Sequence, residues 1–386
     1  MTAEGSGRGR PVLSGLPSGE LALLLESLPS YRILQIKQWI ARGVSSFDEM
    51  TNLPLSLRRE LAGRFLLRTG RIASRYHDSD GTLKLGIELS DGAKIEAVLL
   101  TDEAGRKTAC LSTQAGCPAG CVFCKTGSLG FLRNLNSAEI VEQFLLLRES
   151  CLPPAGAAGT APGESAGGTE RPASPAGNAG ASGRGVSNIV VMGMGDPLLN
   201  IAELRRALSV ITDRQGSGFS ARRITVSTCG IIPGIRDLAE KGPAVRLALS
   251  LPSADAELRR RLMPLSAGHP LGELKKALAF FQEKGGGRVT LETALLSGIN
   301  TRRADAASLA DFAKGLDVVI NLIPWNPVPG LEFEGRPLSG PSGDEIERFR
   351  KMLESEGLRV TRRYRKGRGV MGACGQLGDT LKAGRA

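Results

Sequence analysis

Aromatic residues, histidines and long apolar runs are all scarce in this chain of 386 residues. Phe, Trp and Tyr together make up 4% of the sequence, which argues against a broad stacking platform for single-stranded nucleic acid. The two histidines, His77 and His269, have polar or proline neighbours that favour surface positions. The apolar run at residues 21–25 is too short for a signal peptide core or a membrane span. We therefore expect a cytoplasmic protein with no membrane association and with reduced cysteines.

Positive charge and glycine are in excess. Fifty Lys and Arg residues against 39 Asp and Glu give a formal charge of +11, and 50 residues are glycine. The charge favours an anionic partner, of which RNA or DNA is the commonest. A composition of 41% hydrophobic and 23% charged residues is that of a globular protein. The length predicts two or three domains, or one large α/β domain with additions.

Composition and periodicity divide the chain into segments. Residues 1–18 are rich in Gly, Ser and Pro and are predicted to be disordered. Residues 19–90 are predicted to form an accessory domain, helical over its first part and basic at its helical end. Residues 91–365 form a core domain that contains a disordered insertion at 152–185, rich in Gly, Ala, Pro and Ser. Residues 366–386 form a C-terminal loop and tail.

Strand and helix patterns alternate over most of the core domain. Repeated β-then-α units predict an α/β fold with a parallel sheet and right-handed crossovers, either doubly wound or a full or partial barrel. In such folds the functional residues lie at the carboxyl ends of the strands. The sequence places polar, Gly-containing or Pro-containing motifs at those ends, at residues 194–197, 227–229, 250–252 and 324–327.

Three cysteines form the strongest chemical motif. Cys117, Cys121 and Cys124 are close enough in sequence to converge on one inorganic centre from a single loop. A structural zinc usually has four protein ligands, often from two Cys-x-x-Cys knuckles, and the sequence has no second knuckle. Three cysteines that hold a 4Fe–4S cluster would leave one iron open to another ligand. A zinc site stays as the alternative.

Further motifs accompany this loop in a fixed order, at residues 108–117, 130–135, 193–200, 226–228, 321–327 and 373–377. Together they resemble the radical S-adenosylmethionine (SAM) methyltransferases of the RlmN/Cfr group. Those enzymes methylate carbon 2 of adenine in ribosomal and transfer RNA, and close relatives methylate carbon 8. The resemblance covers residues 20–382 apart from the insertion. It implies a partial (β/α)6 TIM-type barrel of the radical SAM kind with a small N-terminal helical accessory domain.

The resemblance also implies the cofactors and the catalytic residues. Cys117, Cys121 and Cys124 match the ligands of a 4Fe–4S cluster whose open iron binds SAM, and two SAM molecules are used in each turnover. Cys374 matches the cysteine that is first methylated and then attacked by a 5′-deoxyadenosyl radical. Cys110 matches the cysteine that releases product through a transient disulfide with Cys374. Glu96 matches a candidate proton acceptor.

Seven residues match positions that bind SAM, and two of them depart from the family pattern. They are Gly195, Asp196, Ser227, Ser250, Leu251, Pro252 and Asn326. Relatives have Glu at the position of Asp196 and His at the position of Pro252, so one carboxylate is shorter and one side-chain contact is lost. Without the resemblance, Cys110 and Cys374 would be interpreted as inert buried thiols and Glu96 as a solvent-facing strand residue. We interpret Cys151 and Cys229 as structural.

The implied partners are 23S rRNA, at the peptidyl-transferase centre, and tRNA, with an electron donor such as flavodoxin. We expect a monomer. The basic residues 362–368 lead directly into the Cys374 loop and are predicted to bind RNA phosphates there. Two alternatives stay open at this stage. One is methylation of adenine carbon 8, and the other is a zinc-stabilised RNA-binding protein without catalytic activity.

Overall fold

The computed structural model describes residues 10–151, 185–362 and 366–378. The predicted disordered insertion lies outside the described residues except for its last residue, and so do residues 379–386 of the predicted C-terminal loop and tail. Among the helices that are described, none is long and apolar enough to cross a membrane.

The N-terminal part of the chain is a small helical unit with its own hydrophobic core. Its helices are α1 Ser18–Leu24, α2 Ser30–Arg42 and α3 Leu55–Arg64, and each begins directly after a proline, whose fixed φ suits a helix start. Their buried side chains form a cluster that runs from Leu13 to Leu67. Residues 10–18 were predicted to belong to a disordered N-terminus. Instead Leu13 is buried, and its amide nitrogen donates to the carbonyl oxygen of Leu66 at 2.9 Å.

One ten-stranded sheet organises the rest of the described chain. Its order is β1-β2-β3-β4-β7-β8-β9-β10-β11-β14, and two short hairpins, β5–β6 and β12–β13, lie outside it. The strands are β1 Arg71–His77, β2 Leu83–Glu88, β3 Lys94–Thr101, β4 Lys107–Cys110, β5 Gln114–Gly116, β6 Phe131–Asn134, β7 Val186–Val191, β8 Ile224–Thr228, β9 Arg246–Ser250, β10 Val289–Leu295, β11 Val318–Pro324, β12 Glu332–Phe333, β13 Arg336–Pro337 and β14 Val360–Arg362.

Strands β4 to β14 of the sheet are parallel, and helices connect them. The remaining helices are α4 Lys125–Ser128, α5 Ser137–Glu149, α6 Ile201–Thr212, α7 Ile232–Lys241, α8 Ala256–Leu262, α9 Leu271–Phe281, α10 Arg303–Ala313 and α11 Gly343–Ser355. The predicted α/β class and the partial (β/α)6 TIM-type barrel are confirmed, with β14 as a further parallel strand after the sixth βα unit.

Strands β1, β2 and β3 extend this sheet in antiparallel fashion beyond β4. Residues 71–90, which contain β1 and β2, were predicted to belong to the N-terminal accessory domain, but their ladder joins them to the core domain. The physical reason is burial: β2 and β3 are covered on both faces, so their apolar side chains belong to the large hydrophobic core. The helical unit and the sheet therefore meet near residue 70.

Candidate active site

The three predicted cluster cysteines lie on the loop between β5 and α4. The Cys124 amide nitrogen donates to the carbonyl oxygen of Cys121 at 3.1 Å, and that of Cys117 donates to Gly130 at 2.8 Å. A Cβ atom on Gly127 would lie 2.9 Å from backbone atoms of Cys121, so the loop packs directly on α4. This tight turn holds the three thiols on one side of the loop, where all three line the same cavity.

An aromatic side chain fixes the middle of the cysteine loop. Trp325 follows β11 and is 4% exposed, and its Nε1 donates to the carbonyl oxygen of Phe123 at 2.8 Å. The amide nitrogen of Val122 donates to Leu262 at 3.1 Å. These two contacts join the loop to distant strand and helix ends, so the tertiary fold and not the loop sequence alone sets its path.

The cavity lies at the carboxyl ends of the parallel strands, as an α/β barrel requires. Besides the three cluster cysteines, its lining includes six of the seven predicted SAM contacts, namely Gly195, Asp196, Ser227, Ser250, Pro252 and Asn326. Leu251 is the exception: it is fully buried, it is not part of the cavity lining, and its amide nitrogen donates to the carbonyl oxygen of Glu292. The fold therefore brings residues from five separate segments of the chain together in one cavity.

The carboxylate of Asp196 accepts hydrogen bonds from neighbouring residues of the protein. Its Oδ1 accepts from the amide nitrogen of Leu198 at 2.9 Å, and its Oδ2 accepts from the Cys229 amide at 2.6 Å and from the Thr228 hydroxyl at 3.0 Å. Burial raises the pKa of Asp196, while these hydrogen bonds oppose the rise. The Cys229 thiol also hydrogen-bonds to this carboxylate, so the chain itself supplies donors for the roughly four acceptor sites of an ionised carboxylate.

Three further polar groups point to a polar ligand in the cavity. The hydroxyl oxygens of Ser227 and Ser250 lie 3.4 Å apart on neighbouring strands. Asn326 Nδ2 donates to the carbonyl oxygen of Cys374 at 3.1 Å, while its Oδ1 is buried and has no hydrogen-bond partner among the described residues. A buried amide oxygen without a donor is costly, so a donor on a bound ligand would satisfy it. Pro252 contributes no polar side-chain atom here.

The thiols of the cysteine loop are poor acids in the absence of a cation. Burial raises the pKa of Cys117 to about 12, and the nearby charges of Cys124 and Asp196 add to the effect. Burial also raises the pKa of Cys121 and of Cys124. Metal binding requires the thiolate form, so a polycationic iron centre would supply the charge that stabilises three neighbouring thiolates. The chemistry of the donor set, three thiols that line one cavity, fits such a centre. As they stand, no three Cys, His, Asp or Glu side chains among the described residues converge closely enough to hold a single metal ion.

Cys374 lies between two cavities. It lines the cavity just described, together with Gly375, and it also lines a second and smaller cavity that contains Cys110 and Lys366. All seven cysteines of the chain, which include Cys110 and Cys374, are free thiols. The two cysteines that the resemblance paired, far apart in sequence, are therefore brought to one small cavity by the fold.

Backbone contacts hold the described part of the C-terminal loop, residues 366–378, against the barrel. The carbonyl oxygen of Gly375 accepts from the Lys125 amide at 2.8 Å, and that of Leu377 accepts from Thr126 Oγ1 at 2.7 Å. Gln376 Nε2 donates to the carbonyl oxygen of Pro327 at 2.9 Å. Because Lys125 and Thr126 directly follow the cysteine loop, the Cys374 loop and the cysteine loop are joined by hydrogen bonds.

Glu96 lies inside the molecule, which differs from the strand pattern that would expose it. It is 0% exposed, its Oε2 accepts from the Gly378 amide at 2.9 Å, and its Oε1 lies 3.4 Å from Nζ of Lys84. Lys84 is 3% exposed and also lies 3.4 Å from the carbonyl oxygen of Met371. The alternation of β3 fails to predict this because both faces of the strand are covered.

Three residues at or behind the wall of the larger cavity were not predicted to be functional. Glu292 and Cys229 line the larger cavity, and Cys229 was interpreted as structural from its sequence alone. Asn321 Nδ2 donates to Glu292 Oε2 at 2.9 Å. Arg259 is 2% exposed and donates to the carbonyl oxygen of Cys229 at 2.9 Å, which places a buried cation behind the cavity wall. Cys229 directly follows β8, so its strand-end position was an available signal, whereas Glu292 lies in the middle of β10 and gave none.

A solved structure identifies the class of protein that has this fold and site. The chain aligns with the crystal structure of a radical SAM methyltransferase from Sphaerobacter thermophilus with a TM-score of 0.82 and 36% identity. The alignment covers 95% of this chain and 99% of that chain. The fold and site are therefore those of a radical SAM methyltransferase.

Curated relatives narrow the class to a family. The chain is 46% identical to the probable dual-specificity RNA methyltransferase RlmN of Treponema denticola, over 96% of each chain. It is 40% identical to the dual-specificity RNA methyltransferase RlmN of Lawsonia intracellularis, over 91% of each. A scan against protein-family models gave no match. The chain belongs to the RlmN family of dual-specificity RNA methyltransferases.

Proposed function

We propose that this chain methylates carbon 2 of adenine in 23S rRNA and in tRNA, with Cys374 as the residue that carries the methyl group. The position of Cys374 carries the proposal. One thiol lines both the cavity of the predicted cofactor residues and the smaller cavity that contains Cys110. A carrier that accepts a methyl group on one side and delivers it on the other needs access to both spaces.

The residues of the larger cavity fit the two cofactors. Cys117, Cys121 and Cys124 would hold a 4Fe–4S cluster, and the buried Oδ1 of Asn326 would receive a donor group of SAM. Asp196 would receive a second donor group in place of the Cys229 thiol. When bound, the cluster supplies single electrons, and SAM supplies the methyl group and the radical chemistry.

The other residues around the cavities would position the Cys374 loop and its thiol. Asn326 fixes the backbone of Cys374 through its carbonyl oxygen, so that the thiol is oriented towards the ligand cavity. Cys110 lies in the smaller cavity, where it can form the product-releasing disulfide with Cys374 that the family chemistry requires. Glu96 is within hydrogen-bond reach of the end of the same loop, which supports a role as proton acceptor or as a loop anchor.

Charge supports RNA as the substrate. Among the described residues of the predicted basic run, Arg362 and Arg368 are exposed, and Lys366 lines the cavity that contains Cys110. Phosphates bound there would deliver an unstacked adenine to the two cysteines. We further propose that the N-terminal helical unit is an accessory RNA-binding domain, that the enzyme is a cytoplasmic monomer, and that a flavodoxin-type protein supplies its electrons.

The deciding experiment is product analysis. The protein is reconstituted with iron and sulfide without oxygen and incubated with SAM, a reductant and rRNA or tRNA, and the RNA digest is analysed by mass spectrometry. We expect 2-methyladenosine, and no methyladenosine from the Cys374→Ala variant. Cys151→Ala, which changes a cysteine remote from both cavities, serves as the matched control and should retain activity. An intact cluster without product would contradict the proposal.

The same experiment separates the two alternatives. Methylation at carbon 8 would give a different methyladenosine in the digest while leaving the requirement for Cys374 and Cys110 unchanged. A zinc-stabilised RNA-binding protein would contain one zinc and no iron by metal analysis, and the reconstituted sample would be colourless. The cysteine loop brings three thiols to the cavity, which favours the iron–sulfur centre, because a structural zinc usually has four protein ligands whereas a 4Fe–4S cluster held by three leaves one iron open.

A further inference from the structure

A row of side chains crosses the sheet from Cys110 to its free edge. Cys110 of β4 is opposite Val98 of β3. Val98 in turn is opposite Lys84 of β2, and Lys84 is opposite Tyr76 of β1. Side chains that are directly opposite one another in a ladder lie on the same face of the sheet. Tyr76 therefore shares the face of Cys110, three strands away, at about 15 Å for a strand spacing of about 4.8 Å.

The ring of Tyr76 has a cation near one face, and much of its side chain is exposed to solvent. Nζ of Lys84 lies 5.3 Å from the ring centroid, and Lys84 is itself held by the buried Glu96. Tyr76 is 45% exposed, although it belongs to a chain in which aromatic residues are rare. A cation on one face of the ring leaves the other face as a rigid, solvent-facing aromatic surface.

Positive charge lies beside this ring. The amide nitrogen of Gly369 donates to Asp78 at 2.7 Å, which places the exposed Arg368 next to the end of β1. The carboxylate of Asp80 is likewise occupied by the amide of Gly367 at 2.7 Å. The Cys374 loop and the free edge of the sheet are thus joined by hydrogen bonds, and together they present a cation and an aromatic ring, a combination that proteins use to bind single-stranded nucleic acid.

We propose that the exposed face of Tyr76 stacks on an RNA base a few nucleotides from the target adenine. The inference rests on the proposed function, since it assumes that the target base enters the cavity of Cys110 and Cys374. The distance of about 15 Å between Tyr76 and Cys110 is too great for one base to occupy both places. One ring, and not a broad platform, fixes the neighbouring nucleotide and so helps to hold the target base unstacked.

Binding is tested on the full chain without cluster or SAM. The probe is an RNA stem-loop with an adenine in its loop and with 2-aminopurine, a base whose fluorescence is quenched by stacking, at one nearby loop position at a time. We expect quenching with the unmodified protein and with Tyr76→Phe. Tyr76→Leu should lose the quenching and raise Kd by about 5- to 150-fold, which corresponds to about 1–3 kcal/mol.

Tyr31→Leu is the matched control. Tyr31 is also exposed, at 56%, and also lies near a cation, at 5.0 Å from Arg32, but it belongs to α2 of the helical unit. The control should keep the full quenching of the probe, whatever its Kd, because the helical unit is proposed to bind RNA away from the target adenine. Equal binding and quenching by Tyr76→Leu would overturn the inference, and so would loss of quenching in Tyr76→Phe, because that variant keeps the ring. Thermal unfolding of each variant verifies that the fold is intact.

Methylation assays separate this inference from the proposed function. If the unmodified enzyme makes 2-methyladenosine and Tyr76→Leu raises KM with little change in kcat, both stand. If the enzyme methylates and Tyr76→Leu has unchanged KM and quenching, the inference fails while the proposed function stands. If no methylation occurs although Tyr76 quenches the probe, the proposed function fails and the stacking site stands.

Discussion

The amide nitrogen of Gly378 donates a 2.9 Å hydrogen bond to Oε2 of Glu96, which joins the far end of the Cys374 loop to an early strand of the sheet. The other carboxylate oxygen of Glu96 faces Lys84, and both side chains are buried. The loop that contains the proposed methyl-accepting thiol is therefore hydrogen-bonded, at Gly378, to the carboxylate of a buried ion pair. The predictions below test this arrangement and the cavity beside it.

Removal of Glu96 should destabilise the protein strongly. In Glu96→Ala, Lys84 would stay buried without its carboxylate, and breaking a buried pair in this way costs about 3–5 kcal/mol. Denaturant unfolding measures the loss. Glu60→Ala breaks an exposed pair with Arg64 and should change stability by less than about 1 kcal/mol. Equal stability of the two variants would show that the buried pair does not hold the loop.

The hydrogen bond of Trp325 should be needed for a stable cysteine loop. Trp325→Phe keeps most of the aromatic volume but leaves the carbonyl oxygen of Phe123 without its donor, at a cost of about 1–3 kcal/mol. We expect less iron bound per chain after reconstitution, as measured by metal analysis. Trp39→Phe is the control, because it removes a hydrogen bond to Asn52 in the helical unit. Full iron content in Trp325→Phe would contradict this role.

Gly195 should tolerate no side chain. Its φ is +98°, which L-residues rarely adopt, and a Cβ atom there would lie 2.6 Å from side-chain atoms of Gln114. Gly195→Ala should therefore deform the cavity wall beside Asp196 and weaken SAM binding at least about tenfold, as measured by equilibrium dialysis. Gly268→Ala, with no atom within 4 Å of the added methyl, should bind SAM normally. Unchanged affinity in Gly195→Ala would exclude this part of the cavity as the SAM site.

Docking of the C-terminal loop should weaken in acid. Burial raises the pKa of Asp80, but hydrogen bonds from Gly367 and Thr82 and the charge of Lys366 outweigh it and hold the pKa below its ordinary value. A depressed carboxyl pKa contributes stability above the unfolded pKa of about 3.9 and loses it as the pH falls through the folded value. The protection factors of the amides in residues 366–378, which compare each exchange rate with the intrinsic rate at the same pH, should therefore fall on acidification.

Asp80→Asn provides the comparison for that measurement. The variant keeps an oxygen acceptor for the Gly367 amide but has no charge to lose, so the part of the pH dependence due to Asp80 should disappear. Other carboxyl groups titrate over the same range, and for this reason the difference between the two proteins is the quantity measured. Identical pH profiles would show that Asp80 does not hold the loop.

The sequence by itself determined two local features of this protein, the cysteine motif and the alternation of strands and helices. The spacing of Cys117, Cys121 and Cys124 indicates one inorganic centre, because three thiols so close in sequence can share one loop. Alternating β and α patterns predict the parallel sheet, and the carboxyl ends of its strands do line the cavity. These features are local, since each depends on neighbouring residues or on a periodicity of two or 3.6 residues.

Only the tertiary structure decided which of these residues meet. The pattern of β3 places Glu96 on one face of a strand but does not say that this face is covered; the loop around Gly378 and the side chain of Lys84 cover it. Likewise, no spacing in the sequence brings Cys110 and Cys374 to one cavity or Tyr76 into line with Cys110. Strand register and loop docking decide these contacts, because they depend on segments that the chain brings together only when it folds.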